Sequence, residues 1–320
     1  MSGRHGCTSV FAPYIEDFIE FKRSLGYKFH GASYFIMFDR FAAQNEVKTP
    51  EITKELCDEW AMKRPNESDV TKYKRIRVAR NLAQFLNAQG LPSYVPRLPG
   101  NCRSTFIPHI YTNDEVSRFF AECDKLIVSP QTYSAPLFPA FFRLLYCTGM
   151  RVGEAISLLR KDVNLDDGII TIRNPKNGED RLLPMSESLR TLLVDFSSGY
   201  FDGTPDDHFF RKRNGKPLDH SNVYTTFRTL LQNSGISYRG RDKGPRVHDF
   251  RHTFSVHSLI KMADDGLDLY YSLPLLSQYL GHKSLEATDR YVRLAEEAFP
   301  SILEKMNAVC ACVFPEVAKI

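Results

Sequence analysis

Residues 248–254 read His248-Asp249-Phe250-Arg251-His252-Thr253-Phe254. Placed on a helix, positions 248, 251 and 252 share one face, while Phe250 and Phe254 point elsewhere and fill the core. Two histidines four residues apart match half of a zinc-binding helix, so a metal is one reading. Residue 249 is Asp rather than a candidate Glu base, and Arg251 shares the face with both imidazoles. A fixed cation there opposes a divalent metal and favours a phosphate, so an anion site is the preferred reading.

Three other segments carry residues suited to the same anion. Upstream stands Thr148-Gly149-Met150-Arg151-Val152-Gly153-Glu154, a glycine turn opening a helix. Backbone N–H groups at such a start favour an anion, and an Arg there can fork onto two phosphate oxygens. Next comes Lys176, beside the hairpin dipeptide Asn177-Gly178 between the predicted strands 169–172 and 181–183. An ammonium on a hairpin tip can protonate a leaving oxygen. Downstream, Leu280-Gly281-His282-Lys283-Ser284 is followed by Thr288-Asp289-Arg290-Tyr291-Val292, with Gly281 placed to end one helix and Ser284 to start another. A tyrosine hydroxyl titrates near about 10, so Tyr291 needs a base or neighbouring cations to attack anything. Taken singly, these are an ordinary helix start, a solubilising lysine and a half-buried aromatic. Together they surround one phosphate with two Arg, a Lys and several His, and offer it a nucleophile without any metal.

The order Arg151, Lys176, His248, Arg251, His252 or His282, Tyr291 resembles the tyrosine recombinase (phage integrase) family. The matching pieces are T-G-M-R-V-G-E, the hairpin K-N-G-E-D-R-L-L-P, H-x-x-R-H, L-G-H, and a Tyr nine residues after that His, across about 145–295. The hairpin departs from the common pattern in having Asn177-Gly178 where relatives have Gly first. The resemblance implies site-specific DNA recombination through a 3′-phosphotyrosine and a Holliday junction. Arg151 and Arg251 would clamp the scissile phosphate, and Glu154 or His248 would support them. His282 would bond a nonbridging oxygen, Lys176 would be the general acid, His248 would help deprotonate Tyr291, and His252 would be structural. It implies no metal or cofactor, paired double-stranded recombination sites as substrate, a homo-tetramer, and accessory or partner recombinases. The competing readings are a type IB topoisomerase, a non-catalytic DNA-binding protein on the same scaffold, and a metal phosphoesterase, which lacks a carboxylate-rich ligand set.

The expected fold is mainly α with a small antiparallel β-sheet, in two domains. Residues 1–95 read as a helical core-DNA-binding domain, with Phe11, Ile15, Phe18, Ile19 and Leu25 at helical spacing and Gly26 as terminator. Thr49-Pro50 reads as a helix start, and a longer helix runs from about Ser68 with Val78, Leu82, Phe85 and Leu86 on one face. Its first turns carry Lys72, Lys74, Arg75, Arg77 and Arg80 without an acid between them. The cluster is a solvated face or a set of phosphate contacts, and the family resemblance favours DNA contact. Residues 96–111, with Pro96, Pro99, Gly100 and Pro108, read as a linker. The catalytic domain spans 112–298 and opens on a Thr112/Glu115 capping box. In the tail 299–320, Ile302, Leu303, Met306 and Val309 form a stripe that packs on its own domain or on a neighbouring protomer.

Bulk composition narrows the class without naming a partner. The chain has 320 residues, 42% hydrophobic and 25% charged, with a formal net charge of +4, which leans only slightly towards an acidic partner. Seven cysteines without paired spacing argue against a disulfide framework and suit a reducing cytoplasm, and Cys310/Cys312 is a weak metal signal. No apolar run long enough to span a membrane is present. The short stretch before the first helix leaves no room for an added N-terminal DNA-binding domain, which favours two domains.

Overall fold

The computed structural model of the chain describes residues 6–27, 32–100, 107–126, 134–173, 179–200, 203–212, 214–238, 240, 244–282 and 291. They form two compact units, Met1–Thr105 and Phe106–Ile320.

The first unit packs four helices, α1 (Ala12–Ser24), α2 (Ala32–Gln44), α3 (Lys54–Ala61) and α4 (Asp69–Ala88). Their apolar faces meet in a core that includes Phe11, Ile15, Phe18, Phe35, Phe38, Trp60, Leu82 and Leu86. Pro13 sits in the first turn of α1, where its missing N–H costs nothing, and Gly26 follows the helix at φ +80°. The Ser68 hydroxyl caps α4 by accepting from the Thr71 N–H.

The helix expected at Thr49-Pro50 begins later, at Lys54, capped by Thr53. The intervening backbone is committed elsewhere. The Ile52 N–H donates to the Ser93 hydroxyl at 3.0 Å, and its carbonyl accepts from the Tyr94 N–H at 2.7 Å, which holds this stretch out of the helix.

Arg75 also departs from expectation. It is fully buried rather than available to DNA. Its guanidinium forks onto both Glu67 oxygens at 2.7 and 2.8 Å, lies 4.8 Å from the Trp60 ring centroid, and donates to the Trp60 and Met62 carbonyls. A cation with that many internal partners braces α3 against α4 and reads no phosphate. Lys74 and Arg77 are exposed and Lys72 is half-buried, while Arg80, also half-buried, donates to the Pro96 carbonyl at 2.9 Å.

The second unit is mostly helical with a small three-stranded antiparallel sheet. Its helices are α5 (Asn113–Asp124), α6 (Ser134–Thr148), α7 (Val152–Ser157), α8 (Glu187–Tyr200), α9 (His220–Asn233), α10 (Asp249–Asp264) and α11 (Leu269–Leu280). Strands β1 (Val163–Asn164), β2 (Ile169–Ile172) and β3 (Arg181–Pro184) lie in that order, with Ile170 opposite Leu183 and Ile172 opposite Arg181. The capping box at Thr112 and Glu115 opens α5. The apolar helix α6 runs through the core beside Phe119, Phe227 and Phe250. Phe250 is wholly buried, worth about 1.5–3 kcal/mol, and stacks on Tyr111 at 5.0 Å between centroids. That packing fixes the start of α10, whose opposite face carries the residues of interest.

Candidate active site

Arg151 is the N-cap of α7, entered through Gly149 at φ +60°. A Cβ at Gly149 would lie 2.4 Å from Phe254 Cδ1 and 3.1 Å from Leu280 Cδ2, so only glycine fits this turn. The Arg151 backbone N–H donates to Glu154 Oε2 at 2.9 Å, and its guanidinium donates to Oε1 at 2.8 Å. Glu154 is 7% exposed at its side chain. A second guanidinium, Arg181, forks onto the same carboxylate at 2.7 and 3.2 Å. Burial alone would raise the Glu154 carboxyl, but the bonds from Arg181 and Arg151 outweigh it and hold it at about 2.

Arg251 is 2% exposed and lies on the first turn of α10. It donates to the Gly149 carbonyl at 2.8 Å, to the Leu280 carbonyl at 2.8 Å, and to His282 Nε2 at 2.9 Å. One buried cation therefore ties the T-G-M-R turn to the L-G-H turn. Burial lowers its pKa to about 10, which leaves it charged at neutral pH. A guanidinium has no lone pair to offer, so His282 Nε2 is the acceptor and the imidazole proton sits on Nδ1.

His248 stands at the N-cap position of α10 without a side-chain capping bond and packs edge-to-face on His252, 5.1 Å away. Tyr291 is 4% exposed, among Val256, Leu259, Leu276 and Leu280. Its ring lies 5.5 Å from His252 and 5.8 Å from His282. Burial first, then the charges of Arg251 and the other arginines, push both His248 and His282 down to about 4. Both imidazoles are therefore neutral near pH 7.

That state has a measurable consequence. Unfolded histidines titrate at about 6.5, so between that pH and 4 the unfolded chain takes up protons that the native chain refuses. The stability these neutral histidines contribute is complete above pH 6.5 and is lost as pH falls towards 4. Thermal melts should drop steadily across that window, and a His248→Asn, His282→Asn variant should flatten the slope.

The structure thus brings Arg151, Glu154, His248, Arg251, His252, His282 and Tyr291 into one site. Lys176, the expected general acid, lies outside the described residues. Arg181 is the residue that sequence reasoning placed only in a strand. Strand alternation held the signal, because Arg181 shares a face with the buried Leu183 while Leu182, at 62% exposure, faces out. Among the described residues no group of three or more His, Cys, Asp or Glu is placed to hold a metal ion. No helix among them is long and apolar enough to cross a membrane.

Residues 110–298 match the model of the phage integrase family. The chain belongs to that family. Over 321 aligned positions this integrase-family chain is 28% identical to a putative integrase/recombinase, y4rB, of Sinorhizobium fredii, covering 93% of this chain and 98% of the relative. It is 27% identical to the tyrosine recombinase XerA of Pyrococcus furiosus, over 72% of this chain and 73% of that one. In fold it is similar to the Tn1549 transposon integrase bound to circular-intermediate DNA, with a TM-score of 0.63, 18% identity, and coverage of 87% of this chain and 94% of the other. The protein is a tyrosine recombinase, an enzyme that cleaves and rejoins DNA in site-specific recombination.

Proposed function

We propose that this recombinase cuts one strand at a time, with Tyr291 attacking a scissile phosphate held by Arg151 and Arg251. The Tyr291 oxygen forms a bond to phosphorus as the bond to the 5′-oxygen breaks. The tyrosine proton passes to the neutral His248, and Lys176 supplies a proton to the departing 5′-oxygen. The products are a 3′-phosphotyrosine and a free 5′-hydroxyl, so the phosphodiester's energy is kept for rejoining. The observation that carries this reading is Arg251, a buried cation joined to both the T-G-M-R and L-G-H turns beside Tyr291. Such preorganised charge stabilises a pentavalent phosphorus without reorganisation at the moment of reaction.

The test is a nicked suicide substrate, from which the fragment bearing the 5′-hydroxyl diffuses away. A covalent protein–DNA complex is expected to accumulate undiminished in EDTA. Loss of cleavage in EDTA that Mg²⁺ or Zn²⁺ restores would contradict the reading.

The substrate is a pair of double-stranded recombination sites, engaged by four protomers through a Holliday junction. Recombinase-named relatives along nearly the whole chain support exchange over simple strand relaxation. In the first unit, the exposed Lys74 and Arg77 are the best-placed phosphate ligands on α4. Lys74→Ala with Arg77→Ala should weaken binding on all sequences alike. The slope of log K against log salt should fall by about 2, since each cation seated on a phosphate contributes roughly one. An unchanged slope in a binding titration would return both residues to solvent.

A further inference from the structure

Arg151 faces an electrostatic difficulty that its own pair creates. Glu154 orients it through both backbone and side chain, yet a buried carboxylate bonded to a single guanidinium cancels its charge. A neutral pair does little for a dianionic transition state. Arg181 changes that balance. It places a second guanidinium on the same two oxygens, so the Arg151–Glu154–Arg181 triad carries one net positive charge. Arg181 is 10% exposed at its side chain and is held in place by a third bond, from Nε to the Tyr279 carbonyl at 3.1 Å. It passes so close under the L-G-H turn that a Cβ on Gly281 would meet its Cδ at 3.1 Å.

We propose that Arg181 is a positioning residue that takes up the negative charge of Glu154 and so leaves Arg151 available as a cation for the DNA phosphate. Arg181 touches no substrate in this scheme and acts through Glu154. The inference rests on the reading that Arg151 faces the scissile phosphate. Charge balance and bracing can be told apart, because removing Glu154 together with Arg181 restores the net charge that removing Arg181 alone destroys. Gln at 154 retains a carbonyl that can accept from the Arg151 N–H, so the turn keeps its cap.

The experiment compares single-turnover strand cleavage by the full chain, R181Q and E154Q/R181Q on the same suicide substrate, with melting curves for each. R181Q is expected to cut about 100-fold more slowly, the range seen when one charge-stabilising donor is removed. The double variant is expected to regain at least about tenfold over R181Q by the same measure. R181Q cutting at the parental rate, or a double variant no faster than R181Q, would overturn the proposal. If R181Q does not fold, the double variant decides alone: cleavage within about tenfold of the parent supports the charge role. A fall of about 100-fold, or failure to fold, makes Arg181 a brace only. Cleavage is read on the DNA strand, so the ratios hold whichever residue carries the phosphate. Tyr291→Phe run alongside reports on the nucleophile separately.

Discussion

Tyr291→Phe should bind its DNA site as tightly as the parent and cut it slower by about 10⁴-fold or more, the scale on which covalent catalysts fail without their nucleophile. The ring is what packs against Val256, Leu259, Leu276 and Leu280, and Phe keeps it. The change therefore removes one hydroxyl from a site that otherwise stays assembled, and the melting temperature should move little. Gel-resolved covalent complex and a binding titration on the same preparation separate chemistry from recognition. Equal trapping by parent and variant would mean that another side chain attacks the phosphate.

Arg251→Lys should also cut slowly, for its conservatism is only apparent. The guanidinium reaches Gly149, Leu280 and His282 from two nitrogens, a span that one ammonium cannot copy. At least one buried carbonyl loses its donor, at a cost of about 1–3 kcal/mol. The charge is also less firmly held. Burial already draws the arginine down to about 10. A lysine begins about two pH units lower, so the same burial brings its loss of charge closer to the pH of the assay. Cleavage should fall about 10²–10³-fold, with the residual rate declining further as pH rises and the lysine discharges. A variant that cuts at the parental rate would remove Arg251 from the phosphate clamp.

Much of this architecture is legible in the sequence because local chemistry fixes it. Thr112 and Glu115 satisfy each other's backbone donors within one turn, so the start of α5 needs no tertiary information. Gly149 and Gly281 sit where positive φ is required, and alternation places β2 and β3 on either side of the hairpin. Motif order alone groups Arg151, Glu154, His248, Arg251, His252, His282 and Tyr291. What the sequence hides is decided by partners distant along the chain. Arg75 sits in a run of cations and looks like its neighbours. Only the fold brings Glu67 and Trp60 onto it and takes it out of solvent. Thr49 and Thr53 are both competent caps, and Ser93 and Tyr94, some forty residues downstream, settle which one is used. Arg181 is a strand residue by pattern and a partner of Glu154 by packing.

A tyrosine hydroxyl that carries the cut strand without metal leaves a mark that mass spectrometry reads on the covalent complex trapped in EDTA, after digestion of protein and DNA. A single nucleotide-bearing peptide is expected, with the 3′-phosphate on Tyr291. A phosphate on any other residue, or cleaved DNA with no protein attached, would contradict it.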